Sequence, residues 1–157
     1  MTSLLSPPDT VAKAEEGRVQ KIGAELERLT KTCIDAINLR DWDYTSPERQ
    51  EFLSHVHPSF TAVFDNVPGK LDWAELNTAW RAMFAEHPEG QFNITRMSTA
   101  VDERAGYGAV VIESEATGVS NVVLHGLSEA KWRRVNGKWW FYWHAGMRGS
   151  SGNSGFV

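Results

Sequence analysis

"VNGKWWFYWHAGMRG", residues 135–149, is the stretch on which the reading of this chain turns. It opens with a hairpin signal, Val135-Asn136-Gly137-Lys138, because Asn-Gly accepts the positive φ angles of a type I′ turn. Five aromatic residues then follow without a break, Trp139 to Trp143, and His144 comes directly after them. A strand sends alternate side chains to opposite faces, so this strand is aromatic on both. Strict alternation puts His144 on one face with Trp140 and Tyr142, and Trp139, Phe141 and Trp143 on the other. Two apolar faces need two covers. The expectation is helices and a ligand on one side and a second copy of the chain on the other, with His144 at the mouth of the cone or the rim of the interface.

Three more strand-like runs precede it: "QFNITRMSTAVD", "YGAVVIESEATG" and "NVVLHGLSEAKWRRV", each bounded by turn residues. Upstream of Gly90 the pattern is different. Val19, Ile22, Leu26, Leu29, Cys33 and Ile37 recur at spacings of three and four and form one apolar stripe on a long helix. Ser46-Pro47 opens a second, short helix with Phe52, Leu53 and Val56 on its buried side. Pro58 ends that helix, Phe60 to Phe64 read as strand, and Pro68-Gly69 turns the chain. Asp72 and Glu75 form a capping box for a third helix, with Trp73, Leu76, Trp80, Met83 and Phe84 as its apolar side, closed by His87-Pro88. Helices grouped ahead of an antiparallel meander indicate an α+β domain. A twisted sheet curls, and helices on its concave side enclose a cone. Residues 1–17 read as a loose arm, 18–148 as the domain, and 149–157 as a flexible Gly/Ser-rich tail.

The totals restrict function. A length of 157 residues fits one domain, and a formal charge of -4 with acids and bases intermixed argues against nucleic acid. No run approaches the roughly 20 apolar residues of a membrane span, and "MTSLLSPPDT" lacks the charged n-region of a signal peptide. A cytoplasmic protein is the expectation. Cys33, the one cysteine, excludes an internal disulfide and a cysteine-built metal site. No phosphate or dinucleotide loop is present, His55 and His57 read as a polar turn, and His87 as a helix end, so neither metal nor cofactor is expected. Seven tryptophans point to large flat surfaces, in a core or around a pocket.

The helix ending "NLRDWD", the strand "FTAVFD", the helix ending "FAEHP" and the closing "RRVNGKWWFYWH" resemble the nuclear-transport-factor-2-like superfamily, and within it the SnoaL-like branch, over residues 19 to 145. The resemblance implies a cone-shaped α+β barrel with three helices against a curved antiparallel sheet, and a homodimer through the outer sheet face. That superfamily includes ketosteroid isomerase, scytalone dehydratase, polyketide cyclases, fungal enzymes that rearrange meroterpenoids or indole alkaloids, and non-enzymatic binding modules. Carried over by position, the general-base aspartate of ketosteroid isomerase falls on Asp65, its second aspartate near Glu129 or Lys131, and its tyrosine near Cys33, which cannot play that part. The Tyr-Asp pair of scytalone dehydratase is replaced by Ile37 and Asn38, and its asparagine in the penultimate strand falls near Ser128.

The catalytic candidates are therefore Asp65 as base, with burial beside aromatics expected to raise its proton affinity, His144 as an orienting group, and Glu129 as an acid of second rank beside Lys131. Glu113 and Glu115 share a face with Tyr107 and read as a solvated strand edge. Substrate-binding candidates are Asn38, Arg40, Trp42, Phe64, Trp80, Tyr107, His125, Ser128 and Tyr142. The reading is a cofactor-independent isomerase, cyclase or dehydratase that moves protons on a hydrophobic polyketide-, terpenoid- or alkaloid-like intermediate. Its rival is a small-molecule-binding or dimerisation module without chemistry. An enzyme needs a cavity that reaches Asp65 or His144; a structural module has the cone filled by Trp42, Trp80 and Trp140.

Overall fold

The computed structural model describes residues 7–65 and 67–149. Helix α1 runs from Pro7 to Asn38, and its apolar stripe buries Leu26, Leu29 and Cys33. Residues 7–17, expected as a loose arm, continue the helix. The run Val11-Ala12-Lys13-Ala14-Glu15-Glu16 explains this, since most of it has high helix propensity although it is mainly exposed. The Gly/Ser-rich tail from residue 150 onward lies outside the described residues. Helix α2, Pro47–Ser54, is capped by Ser46, whose side chain accepts from the Arg49 N–H at 3.3 Å. Helix α3, Trp73–Glu86, has the complete capping box, with Asp72 and Glu75 each accepting the other's backbone N–H.

Strand β1 spans Val56–Phe64. It therefore takes in Val56 and Pro58, which the sequence placed in and just after α2, while Leu53 is exposed. Proline is tolerated here because β1 is an edge strand whose register with its neighbour is broken between Val56 and Thr61. Strands β2 (Gln91–Asp102), β3 (Tyr107–Thr117), β4 (Leu124–Val135) and β5 (Lys138–Gly149) form the expected antiparallel meander. Asn136 (φ 52°) and Gly137 (φ 79°) make the β4–β5 turn with both angles positive, as type I′ requires. Sheet order is β1-β5-β4-β3-β2, and β1 joins β5 in parallel, a pairing that strand patterning does not reveal. The result is an α+β cone: three helices against a curved five-stranded sheet.

The aromatic run of β5 departs from simple alternation. Lys131 pairs with Trp143 and Trp132 with Phe141, so Tyr142 is an extra residue, a β-bulge. The bulge reverses parity. Trp139, Phe141 and His144 all face the helices, where Phe141 stacks on Trp132 at 5.1 Å and touches His144 at 5.7 Å between ring centres. Trp140, Tyr142 and Trp143 face outward. Each of these three lies under a cation of the same chain, Lys138, Arg133 and Lys131 at 4.2, 4.6 and 5.6 Å from the ring centres. The expected grouping of His144 with Trp140 and Tyr142 is thus overturned by one inserted residue.

The narrow end of the cone is solid. Leu26, Leu29, Phe52, Trp132 and Phe141 are at most 1% exposed. A buried polar contact ties α1 to β4 there: the Thr30 hydroxyl donates to the Leu26 carbonyl at 2.7 Å and accepts from Trp132 Nε1 at 3.2 Å. Thr30→Val keeps the shape and strands a buried indole N–H. It should lower unfolding free energy by about 1–3 kcal/mol, read by urea denaturation, without changing the far-ultraviolet circular dichroism.

Candidate functional site

At the wide end the same elements separate and leave a cavity of about 370 Å³. The local sequence explains why nothing fills it. On β3 and β4 the inward positions hold small side chains, Ser114, Ala116, Gly126 and Ser128, and on β5 Gly146. Where β4 and β5 hold Trp132 and Phe141 the cone is closed; where they hold Ser128 and Gly146 it is open. The opposite wall comes from α1 (Cys33, Ile34, Ile37) and α3 (Trp73, Leu76, Trp80, Met83).

Asp65 and His144 both line this cavity. Asp65 follows β1 directly, and its N–H donates to the Gly146 carbonyl at 3.2 Å, so the parallel β1–β5 pairing delivers it. It is exposed at the rim, which departs from the expected burial among aromatics. His144 is the reverse. It is 9% exposed, its ring meets Phe64 edge-on at 5.1 Å, and its Nε2 is sealed from solvent with no hydrogen-bond partner among the described residues. Burial pushes its pKa down to about 4, so the imidazole is neutral at physiological pH.

Phe64, Trp80, His125 and Ser128, named from the sequence as binding residues, also line the cavity. Phe64 and Trp80 pack edge-on at 5.1 Å and Trp80 on Phe92 at 5.4 Å, an aromatic side to the chamber. His125 pairs with Glu115 at 3.9 Å, on the far flank of the mouth.

The other six candidates are not brought there. Asn38 makes two hydrogen bonds to the Phe92 backbone, at 2.7 and 2.8 Å, and fastens the end of α1 to the start of β2. Arg40 donates to the carbonyls of Pro88 and Gly90 at 3.0 and 2.7 Å and lies over the Phe84 ring, and Trp42 packs against the same ring at 6.4 Å between centres. Glu129, Tyr107 and Tyr142 are on the outer face: Glu129 pairs with Lys131 at 3.7 Å and Arg133 covers Tyr142. Parity misassigned Tyr142 because of the bulge at that residue.

The sequence reading missed Tyr44, Trp73, Asn77 and His87, which also line the cavity. Trp73 and His87 bracket α3, and the capping box that fixes the start of that helix was a usable signal for Trp73. Among the described lining residues there is no lysine or arginine, and Asp65 is the only carboxylate among them. The described wall is mainly apolar, with a few hydrogen-bonding groups set in it.

No protein-family model matches the sequence, and no curated protein matches it. Solved structures do. An NTF2-like protein of unknown function from Pseudomonas putida KT2440 superposes with a TM-score of 0.64 at 11% identity, covering 88% of this chain and 94% of that one. A SnoaL-like protein of unknown function from Burkholderia thailandensis E264 gives 0.56 at 17% identity, covering 79% and 94%. A provisionally named dehydratase of the NTF2-like family from Streptomyces avermitilis gives 0.57 at 15% identity, covering 84% and 96%. The fold is NTF2-like. The described helices include none long and apolar enough to cross a membrane.

The buried imidazole makes a checkable link between pH and stability. An unfolded histidine titrates near 6.5, whereas His144 in the fold holds out to about 4. Between these values the unfolded chain binds a proton that the folded chain refuses, so stability present above pH 6.5 is lost as pH falls. At pH 4 this one group should have removed about 3 kcal/mol. Urea unfolding of wild type and His144→Leu at pH 7 and pH 4 should show a fall smaller by about that amount in the variant.

Proposed function

We propose that this protein is a cofactor-independent enzyme that moves protons on an uncharged hydrophobic small molecule, in the class of isomerisations, cyclisations and dehydrations. One observation carries the reading: an open, mainly apolar cavity whose wall includes both Asp65 and His144. Trp42 and Trp140, two of the three residues that would have filled the cone of a structural module, lie elsewhere, and Trp80 stands in the wall. The aromatic side holds the body of the substrate and fixes its orientation. Asp65 at the rim, aqueous on one side and facing the cavity on the other, accepts a proton from an acidic C–H or O–H of the bound molecule. His144, a neutral imidazole among Phe64 and Phe141, is an orienting hydrogen-bond partner, and Ser128 offers a hydroxyl from the adjacent strand. Natural-product intermediates of polyketide, terpenoid or alkaloid type have the required size and polarity.

The second reading keeps the cavity and drops the chemistry. It is favoured by Ile37 and Asn38 standing where scytalone dehydratase has its acid-base pair. The two readings separate on a carbon acid of suitable size, β-tetralone in D₂O, with α-proton exchange followed by NMR. The enzyme reading expects catalysed, saturable exchange that falls by about two to four powers of ten in Asp65→Asn and by less in His144→Gln. Saturable binding without exchange supports the binding module. Exchange equal in wild type and Asp65→Asn removes the aspartate from the mechanism.

The outer face, with Trp140, Tyr142 and Trp143 half-buried under their cations, is the surface proposed for a second copy of the chain. Sedimentation at micromolar concentration should give about twice the 17.6 kDa chain mass. A monomer there would leave the cations as the complete cover of that face.

A further inference from the structure

The cavity wall holds a phenol that the proposed mechanism does not use. Tyr44 is 4% exposed and lines the chamber beside Cys33, Ile34 and Ile37. Its backbone sits at φ +53°, the left-handed region that an aromatic side chain rarely adopts. The surrounding chain holds it there from both sides. Upstream, α1 ends in a Schellman motif, with Asp41 N–H donating to the Ala36 carbonyl at 2.9 Å and Arg40 N–H to the Ile37 carbonyl at 3.0 Å. Arg40 takes the left-handed position of that motif, φ +57°, where glycine is usual. Downstream, the Asp41 carboxylate accepts from the Thr45 N–H at 3.0 Å and from the Arg49 guanidinium. Between these two clamps Tyr44 is turned into the cone, where its ring stacks on Phe52 at 6.1 Å and meets Trp73 at 5.9 Å. Strain retained at a cavity wall and over-determined by its neighbours is a mark of a functional position.

The group that the wall sets near the hydroxyl is the Cys33 thiol, a weak acceptor compared with an oxygen. Burial raises the Tyr44 pKa far above its ordinary value and pushes the Cys33 thiol up to about 12, so both keep their protons at neutral pH. Tyr44 is therefore a neutral O–H donor at physiological pH, in a wall whose described residues include no lysine or arginine, open to a better acceptor than sulfur.

We infer that Tyr44 is a specificity-determining residue of the cavity, donating its hydroxyl to a carbonyl or ether oxygen of an uncharged ligand, in exchange for the thiol. This rests on the reading of the cavity as a ligand site, but not on that site being catalytic. It sets the ligand class more narrowly than apolarity does: the molecule carries an oxygen acceptor that reaches the α1 wall while its body lies against Trp73 and Trp80.

Two probes of matched shape test it, 2-acetylnaphthalene and 2-ethylnaphthalene, titrated by quenching of tryptophan fluorescence. Wild type should bind the ketone more tightly than the hydrocarbon. Tyr44→Phe keeps the ring contacts and should weaken the ketone by about tenfold, the size of one hydrogen bond, while leaving the hydrocarbon within about twofold. Cys33→Ala, which removes the competing thiol, should keep or strengthen the preference for the ketone. A spectroscopic sign separates this from a structural effect: the C=O stretch of bound ketone should lie lower in wild type than in Tyr44→Phe. Equal losses for both probes, or a carbonyl stretch unchanged by the substitution, would overturn the assignment. Failure of both probes to bind wild type would overturn it together with the reading of the cavity as a ligand site.

Discussion

The β-bulge at Tyr142 governs the arrangement of everything around it. Without the extra residue, alternation would turn His144 to the outer face beside Trp140 and would leave the residue after it facing in. With it, Phe141 and His144 stand two places apart in the strand's inner row although three apart in sequence. The bulge thereby splits β5 into two functional halves. The first half, through Trp139 and Phe141, packs the core against Trp132 and Phe52. The second half, through His144 and Gly146, lines the chamber.

The same division runs through the whole cone. Large inward side chains at the closed end, Trp132 and Phe141, give way to Ser128, Gly126 and Gly146 at the open end. Gly146 shows the constraint at a single position: a Cβ there would stand 2.8 Å from the Phe64 ring and 3.2 Å from Ser128. Phe64 can lie across the end of β5, edge-on to His144, only because that place has no side chain. The polar atoms of the site follow from the same geometry. Parallel pairing of β1 with β5 sets Asp65 at the rim, and the clamp around Asp41 sets Tyr44 in the wall opposite the sheet.

Much of this was legible in the sequence, and the reasons differ by element. Ser46-Pro47, the Asp72–Glu75 box and Asn136-Gly137 are local signals whose chemistry is complete within four residues, and all three formed as read. The α+β order and the four-stranded meander follow from periodicity. The parallel β1–β5 contact joins residues some eighty apart and leaves no local trace. The bulge is equally silent, because a run of five aromatics has no polar residue to betray a change of parity. Of the site, Asp65, His144, Phe64, Trp80, His125 and Ser128 came together around the cavity, since strand ends and small inward residues were readable. Arg40 and Asn38 looked like ligand-binding groups and are instead the polar fastening between α1, β2 and the loop before it. Tyr44 was hidden because its placement depends on two left-handed residues in a segment without glycine.

The inward turn of His144 is the claim on which the site depends, and ring-to-ring nuclear Overhauser effects measure it most directly. With histidine and phenylalanine side chains labelled, the His144 ring protons should show contacts to both Phe64 and Phe141, whose ring centres lie 5.1 and 5.7 Å away. Contacts from His144 to Trp140 and Tyr142 in their place would mean that β5 alternates without a bulge, and that the histidine belongs to the outer face.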